Sequence, residues 1–219
     1  VKVVPGKAAV IKLAPETIAL TAGETQTLSF EVFDAYDNRI PSPDYRWEVE
    51  QNLGSVSGEN VLRAEKAGEG FVHLLVGDAS AQSAVKIVPG SIASVVVSPP
   101  AQVRLNTGQQ QAFSAVGYDA QGNLLDLAPV WSIVGQIGAI DAGGTFKATT
   151  VGDGFVLARM DTVTGVTPIT VEPGPIARVV IKPASADLRA GESIGFTATA
   201  YDAFDNVTPA RFTWALESE

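Results

Sequence analysis

A set of landmark residues recurs along the 219-residue chain at an interval of about 84 residues, and this period constrains the fold more than any other feature. Pro-Gly pairs begin at Pro5, Pro89 and Pro173, and each lies 84 residues after the one before. The tryptophans and the Asp-Ala segments keep step with these pairs, at Trp47, Trp131 and Trp214 and at Asp34, Asp119 and Asp202. The sequence therefore predicts a tandem array of small domains.

Within each repeat, apolar residues alternate with polar ones over short segments that end at turn residues, which indicates β-strands. The opening strands are predicted to end at Pro15, Pro99 and Pro183. The strands before the Asp-Ala segments are predicted to bury Leu28, Phe30 and Val32, then Phe113, Ala115 and Gly117, then Phe196, Ala198 and Ala200. The later strands are predicted to bury Val72, Leu74, Val76, Val85 and Ile87, then Val156, Ala158, Met160, Ile169 and Val171. About seven strands and one core tryptophan per repeat predict an all-β fold of tandem immunoglobulin-like β-sandwiches.

The alignment of the repeats gives the expected domain boundaries. Residues 1–5 align with Val85–Pro89 and are predicted to be the last strand of a preceding repeat. Residues 6–89 and 90–173 are predicted to be complete immunoglobulin-like repeats, and residues 174–219 a partial repeat with the first half only. Because half a sandwich exposes strand edges and an open core, we expect the terminal pieces to be completed by neighbouring chain or to pack poorly.

The second repeat carries a recognisable signature in four segments, namely Tyr118–Asn123, Trp131-Ser132, Gly138–Asp141 and Gly144–Ala148. These segments resemble the bacterial immunoglobulin-like domains of the group 2 and invasin/intimin type, and the resemblance covers essentially the whole chain. It implies an extracellular stalk, an adhesin, a surface-layer protein or an accessory module of a secreted enzyme. The first repeat departs from the signature, with Gly54–Ser57 followed by Glu59-Asn60.

The Asp-Ala segments have two interpretations. Asp34 with Asp37, and Asp202 with Asp205, would supply the oxygen ligands that Ca²⁺ prefers, which predicts a weak calcium site. Aspartate and asparagine also tolerate left-handed backbone and cap tight turns, so the same segments are predicted to be hairpin corners. The second repeat has Gly122 in place of the second aspartate, which suits a turn and removes a ligand.

Charge and composition exclude several classes of function. The net charge is −9 and the lysines and arginines are scattered, which argues against nucleic-acid binding because phosphate contacts need clustered positive charge. The chain has no cysteine, so it holds no disulfide, thiolate metal site or cysteine nucleophile. No apolar run reaches the roughly 18 residues of a membrane-spanning helix, so no membrane insertion is expected in this segment. Apart from calcium, no cofactor is predicted.

Four further groups of side chains are candidates for a catalytic, ligand or contact site, and each has a structural interpretation. His73 alternates with buried neighbours and is predicted to face solvent without a catalytic partner. Glu48 and Glu50 are predicted to lie on an exposed strand face, and the tryptophans in the core rather than on a sugar-binding surface. Phe71 and Phe155 fall on the face opposite the buried valines, where they pack at a loop or at an inter-repeat contact. No enzyme active site is predicted.

These observations favour a non-catalytic structural or adhesive rod of an extracellular, microbial cell-surface protein. It would act as a spacer or as a self-assembling surface element, with other copies of itself or neighbouring repeats of a longer chain as partners. The Pro-Gly links between repeats are short, and proline fixes φ, so limited hinge freedom is expected. The alternatives are a ligand-binding module for a carbohydrate or host protein, and an accessory domain of a secreted enzyme.

Overall fold

A computed structural model describes residues 4–217, and the predicted strand at residues 1–5 lies mostly outside them. The described chain divides into two compact units, one formed by residues 4–94 with Gly117–Asp126, the other by Val95–Val116 with residues 127–217. The fold is all-β, apart from one 3-10 turn at Glu50–Asn52.

Residues 4–217 contain twenty-two strands. The first nine are β1 (Ala8–Ala14), β2 (Thr17–Thr21), β3 (Thr25–Thr27), β4 (Ser29–Asp34), β5 (Arg46–Val49), β6 (Gly54–Val56), β7 (Val61–Ala64), β8 (Gly68–Val76) and β9 (Ala79–Val88). The next ten are β10 (Ile92–Ser98), β11 (Val103–Asn106), β12 (Gln110–Ala112), β13 (Ser114–Asp119), β14 (Leu124–Leu125), β15 (Val130–Val134), β16 (Gly138–Ile140), β17 (Thr145–Ala148), β18 (Gly152–Met160) and β19 (Val163–Glu172). The last three are β20 (Arg178–Lys182), β21 (Thr197–Tyr201) and β22 (Val207–Thr208).

In the first unit, a four-stranded sheet in the order β2-β9-β8-β5 lies against a three-stranded sheet in the order β3-β7-β6, and β1 pairs with β4. Strand β2 is parallel to β9, and the other pairs are antiparallel. Alternate residues of each strand point between the sheets, as the two-residue period of a strand requires. The core between them is built mainly from Ile18, Leu28, Leu62, Val72, Val85 and Ile87. This two-sheet arrangement is an immunoglobulin-like β-sandwich.

The second unit repeats this arrangement. Its four-stranded sheet has the order β11-β19-β18-β15, with β11 parallel to β19, and its three-stranded sheet has the order β12-β17-β16. Inward residues of both sheets enclose a core built mainly from Phe113, Phe146, Val156, Ile169 and Val171. Strands β10, β13 and β14 form a further sheet. The strands β1, β10 and β20 end at Ala14, Ser98 and Lys182, each followed by a cis proline, so the predicted strand ends are confirmed.

The predicted burial pattern is confirmed through β19. Leu28, Val32 and Phe113 are buried, and so are the residues predicted inward on the later strands. Trp47 and Trp131 are partly buried and pack against the two cores, as predicted.

The predicted core of the partial repeat is wrong at its aromatic positions. Phe196 is 45% exposed and Trp214 is 52% exposed, whereas Phe113 is only 5% exposed. Phe113 lies in a core completed by residues of the later strands, such as Phe146. Residues 174–217 contain only the sheet β20-β21-β22, and the segment with Trp214 forms no strand, so both rings stay in solvent.

Candidate functional site

The carboxylate of Asp34 organises the turn that follows β4. Its Oδ1 accepts hydrogen bonds from the backbone N–H groups of Tyr36 and Asn38, both at 2.9 Å. Its Oδ2 accepts the N–H of Gly6 at 2.8 Å, so the turn also holds the Pro-Gly segment. The N–H groups of Gly6 and Asn38 favour the charged carboxylate and lower the pKa of Asp34 from 3.8 to about 2.

Asp119 makes the same contacts after β13. Its Oδ1 accepts the N–H groups of Gln121 at 2.9 Å and Asn123 at 2.7 Å, and its Oδ2 accepts the N–H of Gly90 at 2.8 Å. Burial raises the pKa of Asp119, but the hydrogen bonds from Gly90 and Asn123 outweigh this effect and the net pKa is lowered. The carboxylate is therefore charged at neutral pH although it is buried.

Asp202 repeats the pattern after β21 and adds one partner. Its Oδ1 accepts the N–H groups of Phe204 at 2.8 Å and Asn206 at 2.9 Å, and its Oδ2 accepts the N–H of Gly174 at 3.1 Å. The hydroxyl of Thr107 donates to the same Oδ2 at 2.5 Å. Burial raises the pKa of Asp202, but the hydrogen bonds, led by Thr107, more than offset it and the net pKa is lowered.

We call these segments, Asp34–Asn38, Asp119–Asn123 and Asp202–Asn206, the Asp–Asn turns. In the second of them, the Asn123 amide binds the loop between β7 and β8. Its Nδ2 donates to the carbonyl of Glu65 at 2.8 Å, and its Oδ1 accepts the N–H of Ala67 at 2.8 Å. Because one amide end must donate and the other accept, this pair of contacts also fixes the orientation of the side-chain amide.

Asn206 makes the equivalent pair of bonds in the second unit, to the loop between β17 and β18. Its Nδ2 donates to the carbonyl of Thr149 at 2.9 Å, and its Oδ1 accepts the N–H of Val151 at 3.1 Å. In both turns the asparagine thus reaches a carbonyl and an N–H that lie two residues apart, in loops more than 50 residues earlier in the chain. Turn chemistry predicts these asparagines within their own turns but does not predict their bonds to distant loops.

The third residue of each of these two turns packs against a glycine. A Cβ placed on Gly23 would lie 3.1 Å from Nε2 of Gln121, and a Cβ placed on Gly108 would lie 3.1 Å from Cε2 of Phe204. Both glycines also have a positive φ, of 96° and 89°, which side chains with a Cβ rarely adopt. The glycines therefore serve both the chain turns between β2 and β3 and between β11 and β12, and the close approach of the Asp–Asn turn.

The structure supports the turn interpretation of the predicted calcium residues. Asp34 and Asp202 direct their oxygens at backbone N–H groups, while Asp37 and Asp205 lie at exposed turn positions, each with φ of 63°. Asp205 also accepts a hydrogen bond from Arg178. In residues 4–217 no group of three or more acidic or histidine side chains is arranged to hold a metal ion. Weak calcium binding at these turns stays a prediction, which a calcium titration of the chain tests.

The remaining candidates lie around the 3-10 turn of the first unit. The His73 side chain alternates with the buried Val72 and Leu74, so it points away from the core. It is partly covered by Glu50, whose Oε1 lies 3.0 Å from the His73 Nε2. Oε2 of Glu50 accepts the N–H of Phe71 at 3.1 Å, so this carboxylate fastens the 3-10 turn to β8. Phe71 and Phe155 are exposed, on the face opposite the core, as predicted.

Comparisons with known proteins give the fold a context. No protein-family model matches the chain, and no curated protein matches it. Among solved structures, it is similar to the S-layer protein SbsC, at 17% identity over 94% of this chain and 32% of that chain, with a TM-score of 0.39. The chain thus spans about a third of that structure's length.

Two adhesins are also similar to the chain. FdeC of Escherichia coli matches at 19% identity over 93% of this chain and 77% of that chain, with a TM-score of 0.48. InvE of Yersinia pseudotuberculosis matches at 11% identity over 76% of this chain and 60% of that chain, with a TM-score of 0.37. Among residues 4–217, no helix has the length and apolar character needed to cross a membrane. The sheets and cores define an all-β protein of immunoglobulin-like sandwiches.

Proposed function

We infer that this chain is a non-catalytic structural or adhesive segment of a microbial cell-surface protein, located outside the cell. In this proposal, residues 6–89 and 90–173 are tandem immunoglobulin-like repeats of the group 2 or invasin/intimin type, and residues 174–219 begin another. The chain acts as a spacer that holds other parts of the protein at a distance, or as a surface element that assembles with copies of itself.

The observation that carries the proposal is the set of hydrogen bonds made by Asn123 and Asn206. With boundaries at 89/90 and 173/174, each asparagine belongs to one repeat and binds the backbone of the repeat before it. Each of the two amides makes a pair of such bonds. Each hydrogen bond contributes about 0.5–1.5 kcal/mol, so one pair restrains a junction by about 1–3 kcal/mol.

The Pro-Gly links support the same role. The N–H groups of Gly90 and Gly174 are bound by the aspartates that follow in the same repeat, so the links cannot rotate freely. Proline fixes φ on the other side of each link. A surface spacer needs this combination of short link and fastened junction, because free hinges would collapse its reach. The negative net charge of the chain would help to keep such a spacer soluble.

Small-angle scattering on the chain and on the variants Asn123→Ala and Asn206→Ala tests the proposal. We expect a narrow distribution of interatomic distances for the unaltered chain and a broader one for both variants, because each loses the amide bonds to the preceding loop. Asn38→Ala is the matched control, since Asn38 lies in the same kind of turn but binds no loop in the described residues. If the distance distributions of all three variants match that of the unaltered chain, the asparagines do not restrain the junctions and the proposal is wrong.

The location is tested separately, on cells that produce the parent protein. An antibody against residues 6–173 should label intact cells, and added protease should remove the label without breaking the cells. Labelling that requires permeabilised cells would contradict a surface location while leaving the junction geometry untouched.

A further inference from the structure

The first Asp–Asn turn has the same kind of internal bonds as the other two, but its asparagine binds no loop among residues 4–217. The Nδ2 of Asn38 donates to the two oxygens of Asp34, at 3.2 and 3.1 Å, and no loop backbone among residues 4–217 bonds to this amide. Tyr36 stands where Gln121 and Phe204 stand in the other turns, and it is 87% exposed. Phe204, which contacts Gly108, is 39% exposed.

We propose that Tyr36 and Asn38 form a docking surface for a further immunoglobulin-like sandwich, joined to this chain through the segment before Gly6. The inference rests on the proposed function, and it names the partner of this turn. The Asn38 amide binds a carbonyl and an N–H two residues apart in a loop of that sandwich, and the Tyr36 ring covers a glycine in one of its turns.

The two occupied turns define what the partner must present. The loop bound by Asn123 runs from Glu65 to Ala67 and is followed by a glycine, Gly68; the loop bound by Asn206 is followed by Gly152. Beside each loop lies the glycine, Gly23 or Gly108, that the Asp–Asn turn covers. All of these partner groups are neutral, so the surface selects by geometry rather than by charge.

The contact at Gly6 supports a partner that is joined through the chain before this residue. The N–H of Gly6 is bound to Asp34 just as that of Gly90 is bound to Asp119, so the two glycines are held in the same way. Residues 1–5, Val-Lys-Val-Val-Pro, also match residues 85–89, Val-Lys-Ile-Val-Pro, at all positions but one.

A second copy of the chain does not fit as the occupant. The loops of the required kind in the described residues are those at Glu65–Ala67 and Thr149–Val151, and both are already filled, by Asn123 and Asn206. A copy would have to open one of these junctions before it could bind Asn38.

An extended chain tests the proposal. Residues 6–84 are duplicated directly before Val1, so that Val1–Pro5 completes the added repeat and the full chain follows. The readout is amide hydrogen exchange at the added copy of Ala67. We expect Asn38→Ala to speed this exchange about fivefold or more, the effect of losing one hydrogen bond. Tyr36→Ala should act in the same direction while leaving the bonds of the Asp34 carboxylate in place.

Two controls distinguish the proposed docking surface at Asn38 from the junctions made by Asn123 and Asn206. Asn38→Ala in the unextended chain should leave exchange at the original Ala67 unchanged, whereas Asn123→Ala should speed it. If Asn123→Ala has its effect but neither Asn38→Ala nor Tyr36→Ala alters the added loop, the docking surface is wrong and the proposed function stands. If Asn123→Ala has no effect either, the fastened junction fails as well. Dimers of the unextended chain that Asn38→Ala abolishes would assign the surface to a second copy and overturn the proposal.

Discussion

The hydroxyl of Thr107 lies 2.5 Å from Oδ2 of Asp202 and donates a hydrogen bond to it. The same hydroxyl oxygen accepts the N–H of Gly174 at 2.8 Å, so one side chain joins the carboxylate and the Pro-Gly link. In the first unit, the position before Gly23 is Ala22, which has no hydroxyl, and within residues 4–217 the N–H of Gly90 is bound only by the carboxylate of Asp119. The two Pro-Gly links therefore differ by one hydrogen-bonding group.

We expect Thr107→Ala to lower the free energy of unfolding of the second unit by about 1–2 kcal/mol, because a hydrogen bond to a buried carboxylate is lost. The reverse change, Ala22→Thr, should stabilise the first unit, since a hydroxyl there would reach toward Asp119 and Gly90. Urea unfolding of both variants measures the two effects. A stabilised Thr107→Ala variant would show that the hydroxyl is not part of the link.

Gly174→Ala should be destabilising by about 1–3 kcal/mol, the usual cost of forcing an added methyl into packed structure. The new Cβ would lie 2.8 Å from Oγ1 of Thr107, which must then move away from its partners. Gly6→Ala is the matched control, because its Cβ would approach nothing closer than 3.5 Å. Thermal unfolding of both variants checks the difference. Adding Thr107→Ala to Gly174→Ala should recover part of the loss, since the clashing oxygen is gone.

The chain should lose stability in acid through its Asp–Asn turns. The pKa of Asp34 is lowered from 3.8 to about 2, so its contribution is complete above pH 3.8 and is lost as the pH falls toward 2. The pKa values of Asp119 and Asp202 are also lowered, so the stability that these carboxylates contribute is likewise lost as the pH falls. Denaturation midpoints measured from pH 6 down to about pH 2 should show this fall. In the Asp34→Asn variant the fall in stability should be shallower. If this variant loses stability in acid as steeply as the unaltered chain, Asp34 does not contribute to the acid sensitivity.

Trp131→Ala should destabilise the second unit by about 3–5 kcal/mol through the cavity that it leaves. Trp131 packs against the core beside Phe113, with ring centroids 6.4 Å apart. Trp214→Ala is the control at the equivalent position of the sequence, and its effect should be near zero because the ring is exposed. Unfolding followed by circular dichroism compares the two variants. Equal losses would mean that Trp214 is packed in solution.

The fold could be predicted because local patterns determine it. Alternation of apolar residues identified the faces of β4, β8 and β18, and the prolines after Ala14, Ser98 and Lys182 marked where strands end. The same alternation misplaced Trp214, because a strand pattern records which face is apolar but not whether a second sheet covers it. The alternation placed His73 correctly between the buried Val72 and Leu74, but it could not show the contact with Glu50, which comes from a turn 23 residues away.

The candidate site was only partly predictable. Turn chemistry predicts the role of the aspartates in the Asp–Asn turns, because each aspartate binds N–H groups that are close to it in sequence. The asparagines bind backbone groups in loops, as Asn123 binds Glu65 and Ala67. Every residue carries a backbone carbonyl and, except for proline, an N–H, so no side-chain pattern in the sequence marks the partner loop.

The parallel pairing of β2 with β9 determines how a sandwich responds to pulling. Thr17–Thr21 runs in the same direction as Ala84–Val88, so tension applied to the two chain ends draws these strands past each other lengthwise. Their hydrogen bonds then carry the load together in shear, instead of breaking one after another as in a peeled hairpin. Strands β11 and β19 repeat this geometry in the second unit. Built in this way, each sandwich would resist stretching before its core is exposed.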